Sequence, residues 1–252
     1  MRFKKRGQHI IKVFLLLCLT VNLCSCSSSR HNNKPDAVKI LVFSKTGAFY
    51  HTSIPSGIQA IKKLGRENNF IVEETKNAAY FTHDSLEKYS ALIFLNTSGD
   101  VLNNEQQLAF EHYIQSGHGF VGIHAAADTE HDWPWYNKLV GAVFVDHPAI
   151  SKAVVKVIDN KFPGTATLPQ NWERTDEWYN YKSILPNLKI IALVDESTYH
   201  GGTNGKNHPI AWYHNYDGGR AVYMGFGHTD ESYSEPLLLE FLKGAITFAA
   251  GK

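Results

Sequence analysis

The sequence predicts an α/β domain with a mainly parallel sheet flanked by helices, and two observations carry that prediction. Short apolar runs recur along the chain, and stretches with helical spacing separate them. A third observation sets the extent. From residue 37 onward no linker, repeat or low-complexity stretch interrupts the pattern, so residues 37–252 read as a single domain of ordinary size for this class.

The elements follow in order. Val38-Lys39-Ile40-Leu41-Val42-Phe43 reads as the first strand, apolar enough to be covered on both faces. Ile54, Ile58 and Ile61 come next at helical spacing, with Gly65 as the expected stop. Residues 70–74 and 91–95 read as the second and third strands. Asn103 or Asn104 caps a helix carrying Phe110, Tyr113 and Ile114, and Gly117 ends it. Residues 119–123 form the fourth strand, and later strands are expected at 153–158, 188–194 and 220–224. Ser234 and Pro236 open a last helix with Leu238, Phe241, Leu242 and Ala245 on one face. Residues 163–186 show no clean period and read as a loop.

The N-terminus reads as an address. Arg2, Lys4, Lys5, Arg6 and Lys12 precede an apolar run at 13–23, which is short for a membrane span and fits a signal peptide. The run ends in Leu23-Cys24-Ser25-Cys26, which resembles the lipobox of bacterial lipoproteins, with Cys26 the better lipidation site and Cys24 the alternative. Residues 1–25 are then a signal peptide and 26–36 a polar tether. The domain is expected to be exported and lipid-anchored at Cys26 to the cell envelope. Ser27 favours the outer membrane, on its periplasmic side or surface.

The chain has 25 Lys and Arg against 24 Asp and Glu; without the five basic residues of the signal it is slightly acidic, 20 against 24. No basic stripe suggests a nucleic-acid surface. Cys26 is the one cysteine left after cleavage, which excludes an internal disulfide, a cysteine nucleophile and a thiolate metal site in the domain.

Ligands of open α/β sheets bind beyond the carboxyl ends of the strands. The first strand is followed by Phe49, Tyr50 and His51, the third by Asn96 to Asp100, and the fourth by His124 and Asp128. Asp195 and Glu196 follow a later strand; His228, Asp230 and Glu231 follow the last. In Gly122-Ile123-His124-Ala125-Ala126-Ala127-Asp128 a strand enters a tight turn of small residues, the geometry of a nucleophile elbow with histidine at its tip.

Six ordered motifs carry a family resemblance. They are Gly47-Ala48-Phe49-Tyr50-His51-Thr52-Ser53-Ile54, the elbow segment, Asp146-His147-Pro148, Thr175-Asp176-Glu177-Trp178-Tyr179, His208-Pro209-Ile210-Ala211-Trp212 and Gly225-Phe226-Gly227-His228-Thr229. The chain resembles the ThuA-like (trehalose-utilisation) family over about residues 38–251. That family is related in fold to the flavodoxin-like class I glutamine amidotransferases. The amidotransferases place cysteine where this chain has His124, so the resemblance implies no thioester chemistry. It also implies that His124 and His228 face each other, with His228-Thr229-Asp230 in the place of a His-x-Glu pair.

On this reading His124, His228 and Asp128 are the catalytic candidates. His51, Asp146, His147, Asp176, Glu177, Trp178, Tyr179 and His208 are the substrate-binding candidates. Trp133, Trp135 and Trp178 lie in motif-bearing loops, where aromatic faces suit a sugar's C–H face. A divalent metal is an open possibility, with His51, His124 and His228 as candidate ligands, although no local ligand spacing marks it. The expected function is that of a carbohydrate-active hydrolase, lyase or isomerase working on a keto-sugar or glycoside by histidine acid–base chemistry. A sugar-binding lipoprotein without turnover is the alternative.

Overall fold

The computed structural model describes Met1 and residues 38–252, and Ala37–Lys252 forms one compact unit. The expected signal peptide, the lipidation site Cys26 and the 26–36 tether lie outside the described residues.

The chain runs β1 (Val38–Phe43), α1 (Ile54–Asn68), β2 (Phe70–Thr75), α2 (His83–Leu86), β3 (Ala91–Leu95), α3 (Asn104–Gln115) and β4 (Gly119–Ile123). It continues with α4 (Pro134–Val140), β5 (Val143–Asp146), β6 (Ser151–Val157), β7 (Asn171–Asp176), β8 (Asn180–Lys182) and β9 (Lys189–Val194). The hairpin β10 (Pro209–Tyr216) and β11 (Gly219–Met224) precedes α5 (Pro236–Ala249). Nine strands form one sheet in the order β2-β1-β3-β4-β11-β10-β9-β6-β7, while β5 and β8 pair separately. The pairings from β2 to β11 are parallel; those from β11 to β7 are antiparallel.

Every residue of β3 and β4 is buried. Successive side chains of a strand point to opposite faces, so both faces of the sheet's centre are covered, as the continuous apolar runs require. The cap of α3 is a full capping box in which Asn103 and Gln106 exchange side-chain and backbone hydrogen bonds.

Apart from the short elements α2, α4 and β5, which carried no sequence expectation, the expectation fails at three places, each for a physical reason. Gly65 does not stop α1, which runs on to Asn68 and ends on Asn69 in the left-handed conformation. A Cβ at Gly65 would lie 2.8 Å from the Phe70 carbonyl oxygen, so this glycine permits close approach rather than termination. The expected loop at 163–186 contains β7 and β8. In β7 the alternation is hidden because two of its three buried residues, Arg174 and Asp176, are charged. Finally, β10 went unread as a strand, although Asp217-Gly218, both at positive φ, makes the two-residue turn that joins it to β11.

The antiparallel half curls. Though β7 is the far edge of the sheet, Trp172 packs on Phe226 just past β11, with ring centroids 5.4 Å apart. At its carboxyl end Asp176 accepts from the backbone N–H groups of Gly227 and His228, so that end of β7 returns to the rim formed by β4 and β11.

Candidate functional site

Four side chains from distant segments converge at that rim: His51 after β1, His124 after β4, Glu177 after β7 and His228 after β11. One ligand-capable atom of each lies within 4.8 Å of the corresponding atoms of the others. His51, His124 and Glu177 are buried, and His228 is partly open.

His124 is the tip of the elbow. The five residues His124–Asp128 form a 3-10 turn, and His124 stands at φ 48°. A left-handed conformation costs a residue of this kind about 1–3 kcal/mol, so its surroundings must hold it. They do so from both sides: the Tyr223 hydroxyl donates to the His124 carbonyl at 2.7 Å, and His124 Nδ1–H donates to the Gly225 carbonyl at 3.1 Å. With Nδ1 carrying that hydrogen, Nε2 faces the cluster. It lies 3.2 Å from His228 Nδ1 and 3.3 Å from Glu177 Oε2.

Glu177 links the group. Its Oε2 is 3.0 Å from His228 Nδ1, and its Oε1 is 3.0 Å from His147 Nδ1. Burial alone would raise this carboxyl, but hydrogen bonds from His124 and His228, with their charges, outweigh it and hold the group well below the usual carboxylate range. Burial also works against a charge on His228. The hydrogen bond and charge of Glu177 more than offset it, and the His228 pKa rises. Burial, followed by the positive charges of His124 and His228, pushes His51 down to about 3. Its Nδ1 is buried without a hydrogen-bond partner.

Around this centre stand half-exposed groups. Asp128, one short turn beyond His124, accepts from His131 Nε2 at 2.9 Å, and burial raises its pKa against the opposing pull of His131. His147 is exposed and its ring stacks on Tyr179, which in turn lies 4.2 Å from the His124 ring. Phe49, 62% exposed, meets His51 edge to face at 4.8 Å. Phe49 is the aromatic face that the emphasis on tryptophans missed, though it stands two residues before His51 in the first motif.

The structure gathers some of the expected residues and separates others. His51, His124, Glu177 and His228 meet directly, with Asp128, His147 and Tyr179 beside them. Asp176 is fully buried. It accepts from Arg174 at 2.8 Å and from the backbone N–H groups of Gly227 at 3.0 Å and His228 at 3.1 Å, so it positions the loop rather than facing a ligand. His208 is buried on Glu196 and the Tyr179 carbonyl. Trp178 is fully buried and donates to the Ser151 carbonyl at 2.9 Å, which makes it a packing residue. Trp133 is likewise buried, and Trp135 is tied to Asp217. Asp146 holds Asn180, beside His147. Asp230, which the amidotransferase comparison put beside His228, accepts from Ser56 instead; the carboxylate against the His228 ring is Glu177.

The comparisons agree with this architecture. In fold the chain is similar to a ThuA-like protein from Bacteroides uniformis ATCC 8492, with 26% identity and a TM-score of 0.74 over 86% of this chain and 94% of that one. It is also similar to a ThuA-like protein from Parabacteroides merdae ATCC 43184, with 20% identity and a TM-score of 0.70 over 86% and 91%. A β-galactosidase from Bacillus circulans sp. alkalophilus shares the fold over 86% of this chain and 32% of its own, at 12% identity and a TM-score of 0.56. No curated protein matches the chain. The family model described as ThuA, trehalose utilisation, matches residues 39–249, and the chain belongs to the ThuA family.

Proposed function

We propose that the protein is an exported, lipid-anchored enzyme that acts on a carbonyl-bearing sugar, a keto-sugar or keto-glycoside, by moving a proton beside the carbonyl. The observation that carries this reading is the buried convergence of three imidazoles and one carboxylate at the carboxyl rim of β4 and β11. The family's description, trehalose utilisation, supports a carbohydrate as substrate.

The electrostatics suit such a step. Glu177, 3.0 Å from His228 Nδ1, raises the His228 pKa and so favours the protonated ring, which offers an electrophilic hydrogen to a carbonyl oxygen. Asp128, beside the elbow and partly open, is the base placed to take the proton from the adjacent carbon. The enediolate formed is then reprotonated, giving an isomer, or it expels a leaving group from the next carbon, giving elimination. Phe49 offers an exposed ring to the C–H face of the sugar.

Incubation of the purified protein with disaccharides oxidised to the ketone, followed by NMR, tests the reading. Product accumulation supports it. Saturable binding without product replaces it with a sugar-binding role, and neither binding nor product overturns both.

A further inference from the structure

We infer that His124, His228, Glu177 and His51 form a binding site for one divalent cation of the zinc, iron or nickel class. Among the described residues this is the group whose donor atoms converge on a common point. The inference deepens the proposed reading of the same site. It rests on that reading only for the substrate, since the ion would take the carbonyl oxygen in place of the His228 proton.

Three observations carry it. The first is spacing. His124 Nε2, His228 Nδ1 and Glu177 Oε2 make a triangle with edges of 3.2, 3.3 and 3.0 Å. Ligands held about 2.0–2.1 Å from a cation are about 3.3 Å apart in tetrahedral geometry and about 3.0 Å in octahedral geometry. A cation therefore fits without displacing any strand. Two imidazole nitrogens 3.2 Å apart, by contrast, share a single hydrogen at most.

The second observation is the orientation of the ligands from behind. Metal-binding histidines donate their other N–H to a carbonyl or carboxylate, which fixes the tautomer. His124 Nδ1–H does this to Gly225, and the second oxygen of Glu177 is held by His147 at 3.0 Å.

The third is an unpaired atom. His51 Nδ1 is buried without a hydrogen-bond partner, although buried polar groups are nearly always paired. His51 packs against both other imidazoles, with centroids 4.9 and 5.0 Å away. Imidazole and carboxylate donors without thiolate select borderline divalent ions over magnesium or calcium. Such an ion polarises a carbonyl as a Lewis acid.

The test uses the full chain, purified without a metal-affinity tag, stripped with chelator and titrated with Co²⁺ and, separately, Zn²⁺. The expected result is one equivalent bound, with visible ligand-field absorption for Co²⁺ and a rise in melting temperature. Glu177→Gln and His51→Asn should each weaken binding at least tenfold. Should Glu177→Gln fail to fold, His51→Asn and the wild-type stoichiometry still decide. Absence of stoichiometric binding to folded wild type, or equal binding by folded His51→Asn, overturns the inference. Turnover that persists in chelator-treated, metal-free protein would remove the metal and leave the sugar reading standing. Metal binding with no sugar turnover would do the reverse.

Discussion

Asp176 accepts hydrogen bonds from the backbone of the loop that carries His228, through Gly227 N–H at 3.0 Å and His228 N–H at 3.1 Å. A fully buried carboxylate at the end of β7 thus sets where a cluster histidine stands. Gly227 is at φ 109°, and a Cβ there would lie 2.5 Å from the Tyr233 hydroxyl, so only glycine lets the loop turn onto Asp176. The same carboxylate is the 2.8 Å partner of buried Arg174, whose guanidinium packs against both the Trp172 and Phe226 rings.

Asp176→Asn should therefore be strongly destabilising. The amide places a donor where donors already point, and it leaves Arg174 with the neutral Ser232 hydroxyl at 3.0 Å and, as its one remaining carboxylate, Glu235 at 3.5 Å. Removing one partner of a buried pair costs about 3–5 kcal/mol. Chemical denaturation should register that loss, whereas a midpoint within error of wild type would mean the clamp is dispensable.

The pH dependence of the metal-free protein follows from its buried imidazoles. Burial lowers His51 to about 3, with the charges of His124 and His228 adding and that of Glu177 opposing, and burial lowers His208 and His214 against hydrogen bonds that favour their charge. The unfolded chain protonates these groups near 6.5, so below that pH it binds more protons than the native state and stability falls. Glu177, held low, adds in the same direction below its ordinary range. His228 is raised and opposes: its contribution is complete below 6.5 and disappears as pH rises through its folded pKa. His51 alone corresponds to about 2 kcal/mol between pH 6.5 and 5. Melting in chelator should drop across that interval, and a flat profile would contradict the neutral burial of these histidines.

Membrane attachment is tested separately. Cys26→Ala should abolish labelling by a palmitate analogue and leave precursor uncleaved. Label retained in Cys26→Ala but lost in Cys24→Ala would move the anchor to Cys24.

Much of the parallel half was legible because β1, β3 and β4 are continuous apolar runs, which a strand covered on both faces requires. The antiparallel half was not. In β7 an Arg and an Asp occupy inward positions and neutralise each other, so hydropathy shows no alternation where the structure has one. The site was legible where the topology alone delivers residues, as with His51, His124 and His228 at strand ends. Glu177 and Asp176 were read as a like pair. Their roles differ because the carboxylate of Asp176 turns to loop backbone while that of Glu177 reaches the histidines. Only the curling of β7 back to the β11 rim puts either of them there, and no local pattern encodes that.

The central claim is that the cluster is a reaction centre and not a satisfied core. Its most direct test is turnover of a keto-disaccharide measured together with thermal melting for His124→Asn and His228→Asn. The account predicts turnover reduced about 10²–10⁴-fold by His228→Asn, the hydrogen donor and the more open position, with melting close to wild type. Turnover is also reduced in His124→Asn, since His124 stands against both His228 and Glu177. Normal turnover with a lowered melting temperature in both variants would contradict it.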